Sequence, residues 1–102
     1  MKKPAKNTRF GVRVPKRVPL LVQGANEGRE FLEEASSILV NANGGLIDVN
    51  APVQVGQLLT VVNRKTQKRE QCRVKFVSSG PNGHNQVGIA FHYPADYFWE
   101  TR

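Results

Sequence analysis

The chain has little with which to perform redox, metal or nucleophilic chemistry. Of its 102 residues one is a cysteine and two are histidines. A lone Cys72 excludes an internal disulfide and a thiolate metal cage, and it fits a reducing compartment. His84 sits in a Gly/Asn-rich stretch and His92 at the end of an apolar one. Neither has a partner at His-x-x-x-His or Cys-x-x-Cys spacing, so no metal site is expected. Cys72 falls on the inward side of an alternating segment, where a thiol away from a positive field is inert. Glu33 and Glu34 are adjacent, and on an extended chain adjacent carboxylates point to opposite faces and cannot share a proton. Gly44-Gly45 lacks the Lys-Ser/Thr and the helix start of a phosphate loop. With no catalytic residue to nominate, a binding protein without cofactor is expected, not an enzyme. No apolar run approaches the roughly 18 residues of a membrane span. The opening MKKPAKNTRF is basic like an export signal but leads into Gly11, further basic residues and prolines, so a cytoplasmic protein with no membrane insertion is expected.

Acidic residues are also missing from one end. Residues 1–17 contain Lys2, Lys3, Lys6, Arg9, Arg13, Lys16 and Arg17 and no Asp or Glu, whereas the rest of the chain balances eight basic against eight acidic residues. The excess charge of +7 is therefore confined to one segment. Like charge, Pro4 and scarce apolar material predict a flexible basic arm over residues 1–12, joined to one small domain over residues 13–102. Basic segments of this kind meet phosphate in nucleotides, nucleic acid or anionic lipid.

The body reads as short apolar runs punctuated by turn residues, the pattern of an all-β sandwich or barrel. Val18–Val22 opens it. Residues 25–34, with four acids and Gly28, read as a loop leading into a strand. Ser36–Asn41 and Leu46–Val49 flank Asn41-Ala42-Asn43-Gly44-Gly45, where Asn and Gly supply the backbone freedom of a hairpin or bulged bend. Leu58–Val62 is rich in β-branched residues. Arg69–Val77 alternates, with Cys72, Val74 and Phe76 on one side and Arg69, Gln71, Arg73 and Lys75 on the other. It should pair antiparallel with Gln86–His92 across a loop of turn formers. The aromatic end, Tyr93 to Trp99, is expected to fold back as a short helical turn over an open barrel end. The expected core includes Val18, Leu20, Ile38, Leu46, Val61, Val74, Phe76, Ile89 and Phe91.

Arg9, Arg13 and Arg17 recur at every fourth position. Pro15 and Pro19 exclude an ordinary helix and push Val14 and Val18 toward extended geometry. In an extended chain an even spacing also places side chains on one face, about 13 Å apart at ~3.3 Å per residue. A guanidinium binds phosphate or the O6/N7 edge of guanine bidentately and stacks on bases, so one residue type can hold every part of a guanine nucleotide.

Arg13-Val14-Pro15-Lys16-Arg17 before the first strand of a small β body resembles the Arg-x-x-x-Arg motif of PilZ domains. Asn41-Ala42-Asn43-Gly44-Gly45-Leu46 stands where those domains carry Asp/Asn-x-Ser-x-x-Gly. Val53–Leu58 stands at their turn before an apolar strand, and Val87-Gly88-Ile89-Ala90-Phe91 at their closing hairpin. The resemblance covers residues 13–92 in order. It implies a small antiparallel six-stranded β-barrel of split-barrel type with a short C-terminal helical turn. It further implies a bacterial second-messenger receptor that binds cyclic di-GMP and relays the signal to a protein partner. Carried over residue by residue, the ligand contacts are Arg13, Arg17, Asn41, Asn43 and Gly44, with Arg9 and Lys16 at the periphery. The second motif is degenerate: anchored on Gly44, it places Leu39 at the acid or amide position and Asn41 at the serine. Anchored on Asn41, it places Asn43 at the serine and Leu46 at the glycine. A polar group of the ligand facing Leu39 would go unpaired, at ~1–3 kcal/mol. Two alternatives follow: a PilZ-like adaptor acting by protein contacts without the nucleotide, and a small nucleic-acid-binding barrel. The second is disfavoured because the alternation turns Phe76 and Phe91 inward and leaves few surfaces for base stacking.

Overall fold

The computed structural model describes residues 12–101. Among them are seven strands: β1 (Val14–Pro15), β2 (Pro19–Asn26), β3 (Arg29–Asn41), β4 (Gly44–Val49), β5 (Leu58–Asn63), β6 (Arg69–Ser79) and β7 (Asn85–Phe91). Short 3-10 turns occupy Pro81–Gly83 and Asp96–Trp99. Every pairing is antiparallel, in the order β3-β2-β5-β6-β7-β4, and β4 returns to pair with β3, so six strands close into a barrel. Closure leaves the barrel strands no open edge. The expected arm lies, through residue 11 and with it Arg9, outside the described residues.

The 13-residue β3 organises the rest. Its first part pairs with β2, from Asn26↔Arg29 to Pro19↔Ser36, and its last part pairs with β4, from Ser36↔Asp48 to Asn41↔Gly44. β1 pairs Val14↔Val40 and Pro15↔Leu39 on the edge of β3 away from β4, so it continues the line of β2. The segment read as a loop over residues 25–34 is a tight hairpin instead. Glu27 and Gly28 both adopt left-handed backbone, φ 52° and 81°, the geometry of a two-residue turn whose twist matches the flanking strands. Once that turn forms, acidic residues such as Glu30 and Glu34 take the solvent side of β3.

Alternation along the strands sends Val18, Leu20, Val22, Val61, Val74 and Ile89 into the core, each at most 1% exposed. Phe91, Phe98 and Trp99 form an aromatic cluster with ring centroids 5.0–5.7 Å apart, two of the three pairs meeting edge to face. The C-terminal turn carries Phe98 and Trp99 into this cluster, so the expected helical turn over the barrel is present. Burial pushes the Cys72 thiol up to about 12, which keeps it neutral and unreactive inside the barrel.

Three expected core residues lie elsewhere, two of them at β-bulges and the third by the parity of β4. The register slips between Ser37 and Leu39 in β3, and Ile38, at the slip, is only half-buried. Leu46, paired with Leu39, is half-buried between the buried neighbours Gly45 and Ile47 and so faces outward. A second slip between Val74 and Phe76 reverses the parity of β6, leaving Phe76 42% exposed on the outer surface. A bulge adds one residue and sends the following side chains to the opposite face.

Asn63 is fully buried at the end of β5 and fastens the C-terminal turn. Its Nδ2 donates to the carbonyls of Phe98 and Glu100, both at 2.7 Å, and its Oδ1 accepts the Lys65 N–H at 2.9 Å. Asn63→Ala should destabilise the fold by about 2–4 kcal/mol, since buried carbonyls lose their donors. Urea unfolding followed by the fluorescence of Trp99, the single tryptophan, measures it. A change below about 0.5 kcal/mol, the range of ordinary surface substitutions, would mean that the turn is held by its aromatic packing alone.

Candidate functional site

The arginine segment is fixed to the barrel by one buried hydroxyl. Between β1 and β2, Ser37 Oγ donates to the Lys16 carbonyl at 2.5 Å and accepts the Val18 N–H at 2.8 Å. The backbone adds Lys16 N–H to the Ile38 carbonyl at 3.2 Å and Ser37 N–H to the Val18 carbonyl at 3.1 Å. Arg17 is thus gripped on both sides through the main chain while its own side chain stays exposed.

Strand geometry then sorts the segment by parity. Val12, Val14 and Lys16 line a cavity of about 270 Å³ at the barrel end beside Trp99, Asp96 and Glu100. Arg13 and Arg17 go to the outer face. The Arg13 guanidinium carbon lies 6.0 Å from the centroid of the Phe76 ring, and Arg17 Nη1 donates to Ser36 Oγ at 2.9 Å. Between the two arginines the outer surface carries the cross-strand row Pro15, Leu39, Leu46, Gly88 and Phe76, given by successive pairings. This face therefore has a cation at each end and an apolar floor.

Its electrostatics follow from where the acids are engaged. Among the described residues Glu34 pairs with Arg64 at 3.4 Å, and Asp48 Oδ1 lies 3.0 Å from His84 Nδ1, within hydrogen-bond distance, both near Ser36. Glu33 turns the other way and accepts the backbone N–H groups of Asn50 and Ala51, so the adjacent carboxylates do point apart. Neither Arg13 nor Arg17 has a carboxylate partner among the described residues, and both remain available to an anion.

The remaining nominated residues are not brought together with the two arginines and have structural duties at the β3–β4 turn and the cavity beside it. Asn41 is half-buried at the end of β3; its Oδ1 accepts the Asn43 N–H at 2.9 Å, and its carbonyl accepts Trp99 Nε1–H at 3.0 Å. The exposed Asn43 gives its carbonyl to the Phe91 N–H at 2.8 Å. Gly44 is buried with φ 153°, and a Cβ there would stand 2.0 Å from the Ile89 carbonyl oxygen. At Gly45 a Cβ would stand 2.6 Å from the Leu39 carbonyl and 3.1 Å from the Trp99 ring. The glycine pair thus permits barrel closure, and Asn41 and Asn43 tie the turn to β7 and the aromatic cap. Lys16 has its side chain on the cavity side, away from the two arginines.

Sequence reasoning did not single out Ser36 or Ser37, and it placed Phe76 in the core. Each had a signal: paired serines entering an apolar strand, and the doublet Phe76-Val77 where strict alternation stops. A larger cleft of about 570 Å³ opens at the hairpin end of the barrel, lined by Ala25–Glu27, Pro52 and Gln54–Gln57. Its amides bond to one another and to local carbonyls, as in Asn26 Nδ2 to the Pro52 carbonyl at 2.7 Å and Gln57 Nε2 to Asn26 Oδ1 at 3.1 Å. Among the described residues no Lys or Arg lines it, and the nearby Arg73 Nη1 donates to the Gly56 carbonyl at 2.8 Å, so size alone does not make it an anion site. No group of three or more His, Cys, Asp or Glu among the described residues could hold a metal ion, and no described helix is long and apolar enough to cross a membrane.

No protein-family model matches the chain, and no curated protein matches it.

Removing the Ser37 hydroxyl should loosen the arginine segment without dismantling the barrel. Ser37→Ala is expected to accelerate hydrogen exchange at the Val18 amide by about tenfold or more, the loss of a hydrogen bond worth ~1–3 kcal/mol. Exchange at the core strand β5 should stay slow. An unchanged Val18 rate would show that the backbone pairing holds the segment unaided.

Proposed function

We propose that the chain is a cytoplasmic binding module of PilZ type that takes cyclic di-GMP on the outer face between Arg13 and Arg17 and relays the occupied state to a protein partner. One observation carries the reading: a short segment, fastened by Ser37, sets two carboxylate-free guanidinium groups four residues apart on one face of a closed barrel. Cyclic di-GMP presents two phosphates and two guanines. Arginine answers both, by bidentate hydrogen bonds and by stacking. Asn41 and Asn43, which the resemblance nominates for the ligand, belong to the turn just beyond the Val14↔Val40 pair. Gly44 lets that turn close against β7.

Leu39 sets the expected strength. It lies on the outer row, paired with Leu46, at a place where an acid or amide would accept or donate at guanine. Binding should therefore be weak. The same apolar pair favours one second reading, in which the face between the arginines is a protein contact and no nucleotide binds. A nucleic-acid reading gains one stacking surface, since Phe76 faces outward, but Phe91 is buried.

Calorimetric titration with cyclic di-GMP, beside a short single-stranded oligonucleotide, separates these readings. Arg13→Ala and Arg17→Ala should each weaken cyclic di-GMP binding by ~1.5–3 kcal/mol, roughly 10- to 150-fold. Folding should be retained, because neither side chain is in the core. Leu39→Asp should tighten binding by about tenfold if that position faces a guanine edge. A double arginine variant that binds like the parent would move the site elsewhere. A folded parent that binds no nucleotide at millimolar concentration would favour the adaptor.

A further inference from the structure

We infer that Phe76 is a stacking platform for a nucleobase, and that a guanine of the ligand enters between the Phe76 ring and the Arg13 guanidinium. The inference rests on the cyclic di-GMP reading above and adds the residue that compensates for Leu39.

An outward phenylalanine on the alternating strand β6 needs a reason. The bulge between Val74 and Phe76 turns it out, and its ring is 42% exposed on the barrel surface. The ring lies directly on Gly88: a Cβ added there would come within 2.2–2.7 Å of three ring carbons. One side of the ring is thus seated on the backbone of β7, and the other is presented outward. Gly88 is the space that the ring requires, which assigns a role to the glycine of Val87-Gly88-Ile89.

The Arg13 guanidinium carbon stands over the Phe76 ring, 6.0 Å from its centroid, at the outer reach of a cation–π interaction. Arg13 lies just before the two-residue strand β1, so its long side chain is held to the barrel only at its base. A guanine entering between guanidinium and ring would exchange this one long approach for two stacked contacts. Leu46 and Leu39 continue the row from Gly88 and offer an apolar floor for the edge of the base. Stacking tolerates any base because every base has a π face, so Phe76 supplies affinity and leaves the choice of guanine to polar groups.

The test is ¹H nuclear magnetic resonance of cyclic di-GMP with parent, Phe76→Leu and Phe76→Trp proteins, each checked for an intact fold by its ¹⁵N–¹H spectrum. With the parent, the guanine H8 signal should move upfield through the ring current of Phe76. Phe76→Leu should abolish most of that shift and weaken binding by about tenfold or more, while Phe76→Trp should restore both. If Phe76→Leu binds as well as the parent with the same H8 shift, while Arg17→Ala weakens binding, the stacking role is wrong and the cyclic di-GMP reading stands. If the folded parent does not bind at all, both are overturned.

Discussion

A six-stranded sheet of this size closes only if its strands bend, and in this chain the bends are two β-bulges, in β3 and in β6. Almost everything on the outer face follows from them. The slip after Ser37 leaves the Ser37 hydroxyl on the inside, where it grips the Lys16 carbonyl and the Val18 amide, and puts Leu39 on the outside. The slip after Val74 ends the inward run of Cys72 and Val74 and presents Phe76 to solvent. The candidate site is thus a product of closure: the distortions that let the barrel meet itself also choose which side chains its surface offers.

Charge follows the same economy of placement. The body of the protein is electrically balanced, and its acids near the site are engaged by Arg64, His84 or backbone amides. The surplus is carried by the N-terminal segment, whose last two arginines the barrel lays along β3. Two guanidinium groups without carboxylate partners among the described residues, one over the Phe76 ring and one exposed beside Ser36, flank an apolar cross-strand row where an anionic aromatic ligand would gain from both charge and stacking. Lys16, between them in sequence, is turned away by the parity of the strand and faces the cavity beside Trp99. A chain with its cations simply strung on a free tail would not discriminate among them in this way.

Much of the barrel was legible because its signals are local. Alternation and β-branched residues mark most strands, Asn-Ala-Asn-Gly-Gly marks the β3–β4 turn, and the terminal aromatics mark the cap. Parity after a bulge is not local. Nothing in Arg69–Val77 alone says that one residue is surplus; that depends on Gly88 across the strand leaving room for a ring, and on the curvature needed for closure. Phe76 and Ile38 were misassigned for that reason, whereas Leu46 was misassigned although plain alternation with the buried Ile47 and Val49 turns it outward. The Glu27–Gly28 hairpin was hidden differently: a turn made with one glutamate and one glycine lacks the usual Asn-Gly or Asp-Gly pair. In the site, Arg13, Arg17 and Asn41 were readable as residues, while Ser37 and Phe76 required the register.

The central claim is that the face bounded by Arg13, Arg17 and Phe76 receives cyclic di-GMP. Mapping amide shifts in the ¹⁵N–¹H spectrum during titration with the nucleotide tests it most directly. The account predicts changes concentrated at residues 13–17, at Leu39–Leu46 and around Phe76 and Gly88, with the hairpin-end cleft at Ala25–Glu27 and Gln54–Gln57 silent. Shifts confined to that cleft or to the outer surface of β2 and β5 would contradict it.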